Sequence, residues 1–158
     1  MARSKSDVWQ KNFALALQED IDLERGCSVG QAIELLHDYF TKVMSGAKGP
    51  SDEDTKVFYA VKNGALALLS ARLHQDANRS LVMAYDMGVA KNGDYGIDNI
   101  PKYGVIGVTV RLNDKLVKVA SLMRGPRIDA REERLRRALI DVVNYSTYAM
   151  MLYRGAWQ

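Results

Sequence analysis

The chain has little of several residue types that build particular classes of protein. Its only cysteine, Cys27, excludes an internal disulfide framework, and a reducing cytoplasm is therefore the expected setting. Two histidines, His37 and His74, do not indicate a zinc site, which needs three or four clustered ligands. Only three prolines interrupt the chain, so long helices are permitted nearly throughout.

Long apolar runs are also missing. No segment approaches the roughly 20 apolar residues that cross a bilayer, so we expect no membrane partner. The basic start of the chain is not followed by an apolar stretch, which argues against a signal peptide. A net charge of only +3 does not by itself indicate nucleic-acid binding. The arginine-rich segment 131–137 leaves direct contact with nucleic acid open, although Glu132 and Glu133 interrupt it.

Apolar residues recur at helical spacing along most of the 158 residues. This pattern predicts an all-α domain spanning 1–158, built as a bundle of five or six helices. The predicted helices are 7–22, a second after Ser28, a third from Ser51, a short one through Leu81 to Tyr85, 102–123 and 129–154. Ser28 and Gln31 have the spacing of a capping box. Glycine, asparagine and aspartate between Gly88 and Pro101 predict a loop.

The segment from Val105 to Val110 allows a second interpretation. Its β-branched residues are typical of a strand. The length of the segment and the polar stripe that follows favour a helix.

Charged residues form a narrow stripe on the predicted fifth helix. Arg111, Asp114, Lys115 and Lys118 fall within about 100° of one another at 100° per residue. Apolar residues border this stripe on both sides. Such a stripe either faces water, with ordinary pairs such as Asp114 with Lys118, or lines a polar site.

The last helix has a comparable stripe, which contains Glu133, Arg137, Asp141, Asn144 and Tyr148 within about 80°. If the two stripes face each other across a cleft, the basic residues of the fifth helix could bind phosphate. Asp141 and an aspartate of the fifth helix could hold magnesium, which prefers oxygen ligands. Tyrosines beside the stripes could stack on a base.

Three blocks of sequence resemble the first nucleotide modification associated domain family, which is common in phages and prophages. They are Lys91-Asn92-x-Asp94-Tyr95-Gly96, then Tyr103-Gly104-Val105-Ile106-Gly107-x-x-Val110-Arg111-Leu112-x-Asp114-Lys115-x-x-Lys118-x-x-Ser121-Leu122, and Glu133-x-x-x-x-x-Leu139-x-Asp141-x-x-Asn144-Tyr145. The match covers about 86–154 and leaves the N-terminal helices in 1–85 outside it. The family is similar to the all-α MazG-like nucleoside triphosphate pyrophosphohydrolases, whose helical acids bind magnesium.

The resemblance implies a MazG-like bundle, a phage-type nucleotide-binding protein and a homo-oligomer. It implies a substrate class, nucleotides or modified DNA bases, and not a reaction. If the protein is an enzyme, we expect magnesium-dependent nucleotide (pyro)phosphohydrolysis linked to nucleotide or DNA base modification. The polar positions that fit the family pattern are Asp94, Arg111, Asp114, Lys115, Asp141 and Asn144. Together with the two stripes, they predict substrate binding by Lys91, Asp94, Tyr95, Arg111, Lys115, Lys118, Asn144 and Tyr145 and Mg²⁺ binding by Asp114 and Asp141. No catalytic residue is assigned.

One position departs from the family pattern. The family usually has an acid one helical turn before the aspartate of the last helix, whereas this chain has Arg137 before Asp141. Arg137 could neutralise Asp141 or bind phosphate itself. The alternative hypothesis is therefore a catalytically inactive factor of the phage counter-defence type that binds a nucleotide or a host protein.

Overall fold

The computed structural model describes residues 4–46 and 52–157, and within these ranges it contains six α-helices and no strand. The helices are α1 (Lys5–Leu17), α2 (Val29–Met44), α3 (Asp52–Leu73), α4 (Ala77–Tyr95), α5 (Gly104–Met123) and α6 (Asp129–Tyr153). Short 3₁₀ helices, Leu23–Arg25 and Ile100–Tyr103, precede α2 and α5. The prediction of an all-α bundle of five or six helices is confirmed.

Helix α6 lies at the centre of the bundle. It packs most extensively against α5 and α3 and also contacts α1 and α4. Between Ala138 and Met151 every side chain except that of Tyr145 is buried. In this covered part of the helix a polar group without a partner is costly, so the contacts of Asp141 and Asn144 need an explanation.

An aromatic cluster joins α1, α6 and the C-terminal residues. Trp9 stacks on Phe13 with ring centroids 4.9 Å apart, and both rings contact Tyr148 of α6. Trp157 packs on the same cluster, and its indole N–H donates to the Ile97 carbonyl at 2.8 Å. The end of the chain therefore holds the loop that follows α4.

Helix α3 secures the end of α1 through a buried lysine. The Lys62 ammonium donates to the carbonyls of Ala16, Leu17 and Glu19 at 3.2, 3.4 and 2.8 Å. The last carbonyls of a helix have no partner within it, so this side chain supplies donors at the end of α1, where the Ala16 carbonyl also accepts from the Glu19 N–H at 3.2 Å. Burial lowers the pKa of Lys62 to about 8, against the opposing charges of Glu19 and Asp20.

Two predicted boundaries are wrong. The first helix ends at Leu17 rather than at Asp22. The predicted loop from Gly88 is helical as far as Tyr95, because Gly88 serves close packing instead of chain flexibility. A Cβ at Gly88 would lie 2.6 Å from the Phe13 ring.

Other predictions about the helices are confirmed. Ser28 and Gln31 form the expected capping box. The stretch 105–110 is part of α5, so the strand interpretation is wrong. Ser51, the predicted start of the third helix, lies outside the described residues. None of the described helices is long and apolar enough to cross a membrane.

Candidate functional site

A cleft of about 350 Å³ opens where the end of α4 meets the middle of α5 and α6. All its lining side chains except that of Ile100 are polar or aromatic. The lining consists of Lys91, Asn92, Tyr95, Asn99, Ile100, Arg111, Asp141, Asn144, Tyr145 and Tyr148. The packing of α5 on α6 brings the two polar stripes of the sequence to this region.

A buried carboxylate lies in the wall of the cleft. Asp141 is 6% exposed, and its Oδ1 lies 2.7 Å from the Lys91 ammonium of α4. Its Oδ2 lies 3.2 Å from the Lys115 ammonium of α5. Each carboxylate oxygen therefore has its own lysine, and three helices meet at one charge cluster. The two lysines offset the cost of burying the carboxylate.

Arg111 adds a third cation to this region. It lies one helical turn before Lys115 and lines the cleft, and it forms no ion pair within the described part of the chain. Lys91, Lys115 and Arg111 therefore place three positive charges in this region against the single negative charge of Asp141. A guanidinium with free donors beside two lysines suits an oxyanion such as phosphate.

Asn144 contributes an acceptor that has no partner. Its Nδ2 donates to the Ala84 carbonyl at 2.9 Å, which fixes the orientation of the amide. Its Oδ1 is buried and accepts no hydrogen bond from any described residue. A buried acceptor without a donor costs about 1–3 kcal/mol, so this oxygen is a position where a ligand N–H or O–H would be stabilising.

Aromatic and amide groups complete the cleft. Asn92 donates to the Gly88 carbonyl at 2.9 Å and to the Tyr148 hydroxyl at 3.1 Å. Burial raises the pKa of Tyr148 well above its usual range, so its phenol stays neutral. Tyr145 packs edge-on against Tyr148 with centroids 5.5 Å apart. Tyr95 is 75% exposed and forms part of the lining.

The predicted site residues separate into two groups. Those that line the cleft are Lys91, Tyr95, Arg111, Asp141, Asn144 and Tyr145, and Lys115 joins them through Asp141. Asp94, Asp114 and Lys118 are exposed and do not line it. The cleft also includes Asn92, Asn99, Ile100 and Tyr148, which were not predicted as site residues.

The arrangement of carboxylates does not fit a magnesium ion. Both oxygens of Asp141 contact lysines, and the other predicted ligand, Asp114, is exposed and outside the cleft lining. Within 4–46 and 52–157, no three His, Cys, Asp or Glu residues group closely enough to hold a metal. Metal binding would require Asp141 to leave both lysines.

The sequence suggested that Arg137 could neutralise Asp141, but the structure does not place these two side chains together. The Arg137 guanidinium pairs with Glu133 at 2.8 Å, one turn earlier on α6, and its side chain is 66% exposed. Lys91 and Lys115 take the role that was considered for it.

No family model, no curated protein and no solved structure matches this chain. The resemblance over 86–154 therefore remains a hypothesis that depends on the quoted residues alone.

Proposed function

We propose that this protein binds a nucleoside phosphate in the cleft between α4, α5 and α6. The observation that carries the proposal is the unpaired Oδ1 of Asn144 in the same cleft as the unpaired guanidinium of Arg111. The first needs a hydrogen-bond donor, and the second needs an anion. A nucleoside phosphate supplies both, through an N–H or hydroxyl group and through its phosphate oxygens.

The remaining side chains have roles consistent with this ligand. Lys91 and Lys115 could share their charge between Asp141 and a phosphate. Tyr95 and Tyr145 offer faces on which a base could stack. The volume of about 350 Å³ is within the usual range for small-molecule sites, roughly 300–1,000 Å³. Because Asn144 Oδ1 is shielded, we expect neighbouring side chains to shift when a ligand enters.

Binding is better supported than hydrolysis. Magnesium-dependent (pyro)phosphohydrolysis would need carboxylates free to hold the ion. Asp141, the buried acid of the cleft, is instead held by Lys91 and Lys115. We therefore propose a nucleotide-binding protein of phage type as the primary function and assign no catalytic residue. A host-protein-binding factor is the alternative if no nucleotide binds.

We also propose that the protein forms a homo-oligomer through α5. Ile106, Val110 and Val117 of this helix follow one another at four- and seven-residue steps, and all three are exposed. An exposed apolar seam at this spacing is typical of a helix that packs on another helix.

Thermal unfolding with a panel of nucleotides, with and without magnesium, tests the proposed function. A ligand present at a hundred times its dissociation constant adds roughly 2.7 kcal/mol of stability. If no nucleotide raises the unfolding temperature, the nucleotide proposal is wrong. Binding without release of phosphate or pyrophosphate would identify a binder, whereas magnesium-dependent release would identify an enzyme.

A further inference from the structure

The small net charge of the chain hides an uneven distribution. Residues 102–137 contain ten lysines and arginines and four acids, a net charge of +6, whereas the rest of the chain has a net charge of −3. This segment consists mostly of α5 and the first half of α6. A local excess of this kind attracts an extended polyanion even when the whole protein is nearly neutral.

Several of these cations extend from the cleft along α5 and α6, towards the turn that joins the two helices. Helices α5 and α6 pack along each other and are joined by a short turn, so they run antiparallel. The pair formed by Lys115 and Asp141 sets their register. On α5, Lys118 lies about 4.5 Å beyond Lys115 towards the turn, at 1.5 Å per residue. On α6, Arg137 and Arg134 lie about 6 and 10 Å beyond Asp141 in the same direction.

These side chains share the faces that border the cleft. At 100° per residue, Lys118 falls within about 60° of Lys115, and Arg134 and Arg137 fall within about 40° of Asp141. All three outer cations are exposed. The acids nearby are Asp114 on α5 and Glu133, which pairs with Arg137. We call Lys118, Arg134 and Arg137 the basic track.

Exposed aromatic rings lie at the opposite side of the cleft. Tyr95 and Tyr103 are 75% and 69% exposed, and no other described aromatic residue is classed as exposed. Tyr95 lines the cleft, and Tyr103 ends the 3₁₀ helix whose first residue, Ile100, also lines it. Exposed rings combined with a track of cations are the usual means of holding a single-stranded nucleic acid, because the rings stack on bases and the cations follow the backbone.

We propose that the natural ligand is the end of a single-stranded nucleic acid, with its terminal nucleotide in the cleft and its backbone phosphates on the basic track. This inference depends on the proposed nucleotide binding. It adds that affinity rises when the nucleotide is part of a strand. A duplex is disfavoured, because its bases are paired and cannot stack on Tyr95.

Fluorescence anisotropy with a short oligothymidylate tests this proposal, with thymidine monophosphate, the matching duplex and inorganic polyphosphate as competitors. The variant Arg134→Gln/Arg137→Gln should bind the oligonucleotide several-fold more weakly and bind thymidine monophosphate as before. Removal of two phosphate contacts should lower the slope of log K against log salt by about 1.4, at roughly 0.7 per contact for single strands. Lys11→Gln/Arg79→Gln, which removes two exposed cations from α1 and α4, is the matched control.

The outcomes separate the two proposals. If the monophosphate binds but the strand binds no more tightly, or the arginine variant matches the control, the strand proposal is wrong and nucleotide binding stands. Equal competition by polyphosphate or by the duplex also overturns it, because charge alone then explains the affinity. If neither thymidine monophosphate nor the strand binds, the strand proposal is wrong, and the nucleotide panel decides whether nucleotide binding stands. Unchanged thermal unfolding of the variant shows that the loss is not a loss of fold.

Discussion

Asp141 Oδ2 and Lys115 Nζ lie 3.2 Å apart and join α6 to α5 in the wall of the cleft. Lys91 holds the other carboxylate oxygen from α4. The cleft therefore contains an anion of its own, and a phosphate would have to compete with Asp141 for the two lysines.

Asp141→Asn should strengthen phosphate binding in the absence of magnesium. The change removes a negative charge close to the expected phosphate and frees two ammonium groups, so we expect about tenfold tighter binding, or about 1.4 kcal/mol. The cost in stability should stay near 1 kcal/mol, because the lysines are 51% and 30% exposed. Calorimetric titration with a nucleotide measures the affinity, with Asp86→Asn on the exposed side of α4 as the control.

A magnesium site predicts the opposite result for the same variant. If Asp141 is a metal ligand, its replacement by asparagine should weaken nucleotide binding and remove its dependence on magnesium. Weaker binding by Asp141→Asn would therefore contradict the arrangement described above.

Gly88→Ala should destabilise the fold, whereas Gly93→Ala should not. A Cβ at Gly88 would lie 2.6 Å from the Phe13 ring and 3.0 Å from the Tyr148 hydroxyl, and we expect a loss of about 1–3 kcal/mol. A Cβ at Gly93, also in α4, meets no atom within 4 Å, so alanine there should add about 0.5–1 kcal/mol. Urea unfolding of both variants decides the point, and equal stabilities would show that Gly88 does not mark a close contact.

Lys62 should make stability rise with pH in the alkaline range. Its pKa is lowered from 10.5 to about 8 in the folded protein, mainly by burial. Between these values the unfolded chain binds more protons than the folded one, so the free energy of unfolding increases as pH rises from about 8 to 10.5. The contribution is constant below pH 8, where both states are protonated.

Comparison with Lys62→Met isolates this effect from other titrating groups. Subtraction of the variant's unfolding free energy from that of the wild type should give a difference that grows by a few kcal/mol across the same pH range. A flat difference would mean that the carbonyls of Ala16, Leu17 and Glu19 keep the ammonium charged at its ordinary pKa.

Val110→Glu should prevent self-association through α5. Val110 is 48% exposed in the apolar seam, and a charge there would have to be desolvated when the helices pack. Val82→Glu on α4, at a position 58% exposed, is the control. Light scattering after gel filtration should find an oligomer for the wild type and the control and a monomer for Val110→Glu; a monomeric wild type would rule out the oligomer.

Sequence patterns predicted the fold well where local chemistry and burial agree. Ser28 and Gln31 marked the start of α2, and the apolar spacing marked α5 and α6. The pattern failed at Gly88 because glycine is read as a breaker, and only the Phe13 ring from a distant helix explains its place inside α4. This error also hid Asn92, whose contact with Tyr148 needs α4 to continue.

The site was predicted only in part, because contacts between distant helices again decide what the spacing of residues cannot. Helical spacing brought Arg111, Lys115, Asp141 and Asn144 to facing stripes, but it could not determine which charges would pair. Lys91, placed in a loop by its neighbours, reaches Asp141 only because α4 extends past it. The separation of Asp114 from the cleft follows from the rotation of α5 about its axis, which depends on packing.

Calorimetric titration of the wild type and Arg111→Gln with a nucleoside triphosphate, without magnesium, tests the proposed function most directly. Arg111 lines the cleft and is free to pair with a phosphate, so its loss should cost roughly 1.5–3 kcal/mol, about tenfold or more in affinity. Arg79→Gln, on the exposed side of α4, should bind as the wild type does. No binding by the wild type, or equal binding by Arg111→Gln and Arg79→Gln, would contradict a nucleotide site in this cleft.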